Sequence, residues 1–416
     1  MNEQTKPRLP LSKIRVLDLG QVYAGPLAGR LLADLGAEVI RVESPVRSAR
    51  GGPEPQAGAT YPDNDPGDAP YNRSAYYNEL HRNKLAISLD LTTNEGLQIF
   101  KQLTKISDVI LENYTPRVMA NFGIDFPVLT KINPRLVMVS ISAYGQTGPY
   151  CNYSSFGRGI EAMAGLSQAT AYSDKMPLGP GTAYADATGG LHAAFATMVA
   201  LRQRRHTGKG QHIDLSLQES LLSFLGEKMP DHDPKGSGNQ DSPLAFQGVY
   251  KCKGIDQWIA ITICSDREWD LLIDIVSTPQ NTFKTSFVKI LTGNENRAKV
   301  DQLIESWTVN FEPNQAMNIF QESGISAGAV LGADDICHND HLRERGFFES
   351  VSHPEAGTHV HPGTGWKSTH LQNVIRNPAP CFAQHNRYVF GDLLGMSTEE
   401  INQLEKSGIC GKTPIR

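Results

Sequence analysis

Between residues 14 and 142 the chain alternates short branched-apolar runs with stretches of helical period, and this rhythm constrains its fold more than any other feature. Residues 14–19 are short and rich in Ile, Val and Leu, the signature of a buried strand. Residues 20–26 form a loop, with Pro26 placed to open a helix in its first turn. Residues 27–35 carry helical spacing, Gly36 stops them, and residues 37–43 return to strand character. The alternation continues through a strand at 86–91, then a helix that starts at the capping-box spacing Thr92 to Glu95 and runs to Lys105. A strand at 108–112 follows, then a short helix opened by Pro116 and closed by Gly123, and a strand at 136–142. Strands that alternate with helices predict an α/β architecture, a parallel sheet covered by helices.

The first strand–helix turn offers a helix N-terminus suited to phosphate. It is no dinucleotide fingerprint, because Gly20, Gly25 and Gly29 do not give G-x-G-x-x-G. Nor is Gly208-Lys209-Gly210 a phosphate-binding P-loop, since no Ser or Thr follows the lysine. Residues 45–78, dense in Pro, Gly, Asp and Asn, read as a long loop: a lid, a subunit contact or a disordered stretch.

Asp186 stands among small residues (Gly181, Ala183, Ala185, Ala187, Gly189, Gly190), just before residues 191–201, which read as a buried helix. Small neighbours leave room for a bulky ligand, and carboxylates do serve as covalent nucleophiles. A helix beginning just after Asp186 would aim its N–H groups at developing negative charge. An ordinary N-cap aspartate, worth about 1 kcal/mol, explains the same pattern. Further on, residues 210–216 precede an amphipathic helix with Leu217, Leu221, Leu222 and Leu225, and a polar break spans 231–243. Two short strands within 248–262, then helices carrying Trp269 and Trp307, indicate a smaller α+β domain. Short strands and a final helix at 397–407 suggest a C-terminal return onto another part of the chain. The expected domains are 1–222 (large, first part), 223–335 (small) and 336–416 (completing the large domain).

The 416 residues carry a net charge of −5, with no basic surplus for nucleic acid or an anionic membrane. Arg202, Arg204, Arg205 and Lys209 read instead as complements to a helix C-terminus. Six scattered cysteines without C-x-x-C suit a reducing compartment, and Cys337-His338 to His341 is a weak metal pattern. With no signal-peptide layout at the N-terminus and no apolar run near membrane-spanning length, the expected location is cytoplasmic.

Taken in order, residues 16–26, 31–43, Asn83-Lys84 before 88–91, 112–116, 133–135, 140–149, Ala185-Asp186 to His192, 207–211 and 341–348 resemble the class III coenzyme A transferases, the formyl-CoA transferase and carnitine CoA-transferase type. The resemblance covers residues 11–408. It implies an interlocked-dimer fold with a Rossmann-like large domain and a smaller α+β domain. It places Asp186 at the family's nucleophile, which forms a mixed anhydride and then an aspartyl–CoA thioester, with no permanently bound cofactor and with acyl-CoA as substrate. It also implies CoA contacts at Gln21, Val22, Tyr23, Ala24, Arg41, Lys84, Asn113 and Tyr114, and an active-site aromatic at Tyr144. Where the family has a basic residue this chain has Asn121; Arg117 is either its substitute or an ordinary exposed helix arginine. Gly236 and Gly238 fall near the family's glycine loop.

α-Methylacyl-CoA racemases resemble the same pattern but add a histidine for proton transfer where this chain has Phe156. A non-catalytic CoA-binding partner subunit is the third reading, and retention of Asp186 argues against it. Within the family, the 45–78 insertion and the N-terminal pattern resemble subunits of succinyl-CoA:benzylsuccinate CoA-transferases. That implies succinyl-CoA as donor, an aromatic-substituted succinate as acceptor, and a homodimer or a heteromer with a homologous subunit. Arg158 and Gln168 are candidates for holding a second carboxylate.

Overall fold

The computed structural model describes residues 9–172, 176–226, 245–277, 286–287, 290, 294–370 and 374–415. Six strands, β1 (Arg15–Asp18), β2 (Glu38–Glu43), β3 (Leu85–Ser88), β4 (Val109–Glu112), β5 (Val137–Ser142) and β6 (Gln211–Ser216), form one sheet in the order β3-β2-β1-β4-β5-β6. Every neighbouring pair is parallel. Strand order reverses between β1 and β4, and in such sheets a crevice opens there beyond the carboxyl ends of the strands.

Strand alternation divides the core into two faces. Val16, Val39, Val109, Leu111, Val137 and Val139 pack on one side with α1 (Ala24–Asp34) and α9 (Tyr184–Thr207). Leu17, Ile40, Ile87, Ile110 and Met138 pack on the other with α4 (Asn94–Lys105) and the C-terminal residues Val389, Phe390, Ile401 and Leu404. The C-terminal return therefore completes the large unit by covering the second face of its sheet.

The remaining helices of this part are α2 (Pro70–Arg73), α3 (Ala75–His81), α5 (Arg117–Asn121), α6 (Phe126–Ile132), α7 (Gly157–Met163), α8 (Leu166–Ala169) and α10 (Leu217–Leu222). By contact the chain divides into one unit of residues 1–166, 179–230 and 344–416 and a second of 167–178 and 231–343. In the second unit β7 (Phe246–Lys251), β8 (Trp258–Ile263) and β9 (Ser326–Val330) form an antiparallel sheet. The helices Asp266–Val276, Asn294–Thr308 and Pro313–Glu322 bury Trp269, Leu303 and Phe320 within the core of this unit.

Three local expectations are corrected. The 45–78 stretch is not all loop: α2 begins at Pro70 and α3 follows within a few residues, and Tyr77 is buried. Pro and Gly density hid an apolar anchor. The cap of α4 is Thr93, whose hydroxyl accepts the Gly96 N–H at 3.0 Å, while the Thr92 hydroxyl bonds Asp90 instead. The helix carrying Asp186 is neither buried throughout nor begun after that residue. It starts at Tyr184, and Leu191, Phe195 and Val199 are 53, 64 and 49% exposed.

Candidate active site

Asp186 is the third residue of a 24-residue helix whose N-cap is Ala183, so the aspartate does not cap the helix. It lies half-buried in the first turn, where the helix terminus favours a carboxylate. Three elements converge on it. The N–H of Ala24, first residue of α1, donates to the carboxylate. Gly157, first residue of α7, comes so close that a Cβ there would stand 2.6 Å from Asp186 Oδ2. Burial, with the charge of Asp186 second, pushes up the phenol of Tyr76 on α3.

These approaches are possible because α1 and α9 pack through small residues. A Cβ on Gly190 would meet the Ala24 carbonyl oxygen at 2.9 Å, and one on Gly189 would strike Leu217. The small residues around Asp186 thus serve close helix packing as well as space. Burial, with the negative charge of Glu161 second, pushes the Asp186 carboxyl up to about 6 against the opposing pull of the Ala24 N–H. A single N–H bond and a helix terminus contribute about 1 kcal/mol each, less than burial withholds here.

The β1–α1 loop leads from Asp186 to the sheet's switch point. Gln21 is clamped to the loop after β4: its N–H donates to Asn113 Oδ1 at 2.5 Å, and Asn113 Nδ2 donates to the Gln21 carbonyl at 2.8 Å. The next residue, Val22, sits at φ +58° and is 52% exposed. A β-branched residue there is strained, and such strain persists only where its surroundings impose it. Tyr23 follows, its ring 5.9 Å from that of Tyr76. Glu112 accepts the Tyr114 N–H at 2.8 Å, and burial pushes its carboxyl up to about 7.

A cavity of about 520 Å³ opens beyond the carboxyl ends of β1, β2 and β3. Gln21, Arg41, Arg47 and Tyr114 line it, together with Val118 and Phe122 from α5 and its end. Arg41 is buried, donates to the Gly20 carbonyl and lies 3.6 Å from Asp18, but its Nε has no partner among the described residues. Arg47 is exposed, and among the described residues no carboxylate pairs with it. Nothing in the loop-like sequence around Arg47 signalled it; only the fold carries it to the cavity.

The other sequence candidates lie elsewhere. Lys84 is 2% exposed and committed to Asp18 at 2.8 Å and the Pro26 carbonyl at 2.8 Å. Burial, set against its pairing with Asp18, lowers its pKa to about 8. Arg117 is exposed and does not line the cavity, although Val118 beside it does. Tyr144, just beyond β5, packs edge-on against Tyr150 and Tyr153, an aromatic group of which sequence reading found one member. Arg158 is exposed on α7, next to Gly157. Gln168 belongs to the second unit, and Gly236 and Gly238 lie outside the described residues. Arg204 at the end of α9 bonds Asp108 at 2.7 Å, a structural tie. Among the described residues no helix is long and apolar enough to cross a membrane.

The chain is 31% identical over 420 residues to a succinyl-CoA–D-citramalate CoA-transferase of Chloroflexus aurantiacus, covering 97% of this chain and 99% of that one. It is 29% identical over 411 residues to the alpha subunit of a succinyl-CoA–L-malate CoA-transferase of the same organism, covering 97 and 93%. The crystal structure of a CAIB/BAIF family protein from Brucella suis superposes with a TM-score of 0.81 at 25% identity, covering 93% of this chain and 100% of that one. The sequence profile of CoA-transferase family III matches residues 11–386. With the parallel sheet, the cavity at its carboxyl edge and these matches in hand, the chain belongs to CoA-transferase family III and is a CoA-transferase.

Proposed function

We propose that the chain moves CoA from succinyl-CoA to an aromatic-substituted succinate of the benzylsuccinate kind, with Asp186 as the covalent nucleophile. The observation that carries the nucleophile is its setting: a half-buried carboxylate at the convergence of α1, α7 and α9, pushed up to about 6. An Asp186 oxygen attacks the thioester carbonyl and expels CoA thiolate, leaving a mixed anhydride. The thiolate then attacks the aspartyl carbonyl, releases the donor acid and leaves an aspartyl–CoA thioester. The acceptor carboxylate reverses both steps, forming a new anhydride that the thiolate opens at its acyl carbonyl, freeing Asp186. Each thiolate return is effectively intramolecular while the nucleotide end stays bound, an advantage of roughly 7 to 11 kcal/mol.

In this reading the nucleotide end of CoA occupies the 520 Å³ cavity. Gln21, Val22 and Tyr23 guide the pantetheine toward Asp186, and Arg41, Asn113 and Tyr114 frame the nucleotide. Lys84 and Ala24 act from behind, the first by neutralising Asp18 and the second through its N–H on Asp186. Arg47, rather than Arg117, supplies the phosphate-binding cation. Arg47→Ala is therefore expected to raise KM for acyl-CoA about tenfold, the loss of one charge-assisted contact, with little change in kcat. The effect should vanish with 3′-dephospho-CoA substrates; an equal loss with both would remove Arg47 from the 3′-phosphate.

The donor assignment is supported by the succinyl-CoA-dependent names of both relatives. The aromatic acceptor is supported by the rings near the aspartate: Tyr23 and Tyr76, and Phe156, 79% exposed and adjacent to Gly157. A citramalate- or malate-like acceptor is the second reading, favoured by the same two names. Intact-protein mass spectrometry with a panel of acyl-CoAs, followed by a panel of dicarboxylates to discharge the adduct, tests both halves. Discharge by citramalate or malate but not by benzylsuccinate would overturn the aromatic assignment.

The subunit arrangement belongs to the same proposal: an interlocked homodimer, or a heteromer with a homologous chain. Leu191, Phe195 and Val199 recur every four residues on α9 and form an exposed apolar stripe that a partner would bury. Phe195→Glu should convert the assembly to monomer by light scattering. An unchanged mass would place the interface elsewhere.

A further inference from the structure

Glu161 lies on α7, four residues after Gly157, and is 1% exposed. Its Oε1 accepts the N–H of Tyr184 at 2.8 Å, the first residue of α9 and two residues before Asp186. Among the described residues no arginine, lysine or histidine pairs with this carboxylate. An unpaired buried charge is costly, and a glutamine oxygen would accept the same N–H without it. The hydrogen bond alone therefore does not account for a glutamate at this position.

The charge has one evident recipient. The Glu161 field falls on Asp186 and, after burial, is the larger influence pushing that carboxyl up. Among the described residues, the other groups that interact with Asp186 are the Ala24 N–H from α1 and the Tyr76 phenol from α3. We infer that Glu161 is a positioning residue: it fixes the first turn of α9 and holds a negative charge against Asp186, so that the covalent aspartyl–CoA form is favoured over the free carboxylate. The inference rests on the aspartyl–CoA reading given above. The balance is simple: Asp186 carboxylate plus succinyl-CoA gives aspartyl–CoA plus succinate. The negative charge of Asp186 leaves with succinate, and the like-charge repulsion beside Glu161 is relieved. The same repulsion makes the free carboxylate a stronger base and so a better nucleophile.

The test is the equilibrium ratio of aspartyl–CoA to free enzyme, read by intact mass at fixed succinyl-CoA and succinate without acceptor, together with the pH profile of kcat/KM. For the unaltered protein the acid limb is expected near pH 6, because Asp186 must be ionised to attack. Glu161→Gln, which keeps the acceptor for Tyr184 N–H, should lower the ratio about tenfold and move the acid limb to lower pH, as removal of a nearby like charge does. Glu161→Met, which lacks the acceptor, should lower the ratio at least as far. A purely structural role would leave Glu161→Gln at the unaltered ratio and limb and affect only Glu161→Met, and that result overturns the inference. An unaltered protein that forms no adduct on Asp186 overturns the covalent reading itself, and this inference with it.

Discussion

Asp186→Ala is expected to lower kcat/KM by at least about 10⁴-fold and to abolish the acyl-CoA-dependent mass adduct. Three facts make the loss that large. In the proposed mechanism covalent capture is the step that Asp186 performs. Among the groups that face it, Tyr76 is a phenol held in its neutral form and Glu161 is already engaged with the Tyr184 N–H. Stability should hardly fall, because the aspartate is not the helix cap and its ionised form is disfavoured by burial. A variant with the melting temperature of the unaltered protein and no adduct is the expected pair of results. Retained turnover with the adduct on another residue would remove Asp186 from the chemistry.

The second large effect is expected at a residue with no side chain. Gly157→Ala places a methyl group 2.6 Å from Asp186 Oδ2 and 3.3 Å from the Ala183 Cβ. The backbone at Gly157 is not in the left-handed region, so alanine is allowed there and the strain is purely one of contact. The atom most able to yield is the carboxylate oxygen itself, and its displacement is a displacement of the proposed nucleophile. A misplacement of about 1 Å can cost 10²-fold in rate, so kcat should fall by about that factor while thermal stability changes by less than 1 kcal/mol. Wild-type kcat in Gly157→Ala would mean that α7 moves away freely and that its closeness to Asp186 has no function.

Much of this molecule was legible in its sequence. The strand–helix rhythm of residues 14–142 yielded five strands of a parallel sheet, each within one to three residues of its observed ends at Arg15–Asp18, Glu38–Glu43, Leu85–Ser88, Val109–Glu112 and Val137–Ser142. Local signals suffice there because strands buried on both faces read as continuous apolar runs. The same signals failed for α3, which lies in a tract rich in turn formers and is held by Tyr77 against the buried Arg50–Glu43 pair. Lys84 shows the limit of reading a charge from its type. The family resemblance implies a CoA contact at this lysine, and the fold encloses it with Asp18 and covers the pair with Gly29, where a Cβ would lie 2.9 Å from Asp18 Oδ2.

Sequence by itself determined the α/β class and the family and singled out Asp186 as the candidate carboxylate, because each is written in contiguous residues. Tertiary structure alone decided what surrounds that carboxylate. Gly157, Glu161, Ala24 and Tyr76 lie between 25 and 162 residues away from Asp186 in the chain in steps that no local pattern encodes. They meet because the N-termini of α1, α7 and α9 and the start of α3 are brought to one place by helices packed on a shared sheet. Arg47 reaches the cavity for the same reason, carried on the turn after β2 to the carboxyl edge of the sheet. Burial, like-charge repulsion and close approach are properties of the folded environment, and in the proposed mechanism they set how Asp186 reacts; the sequence only nominates the residue.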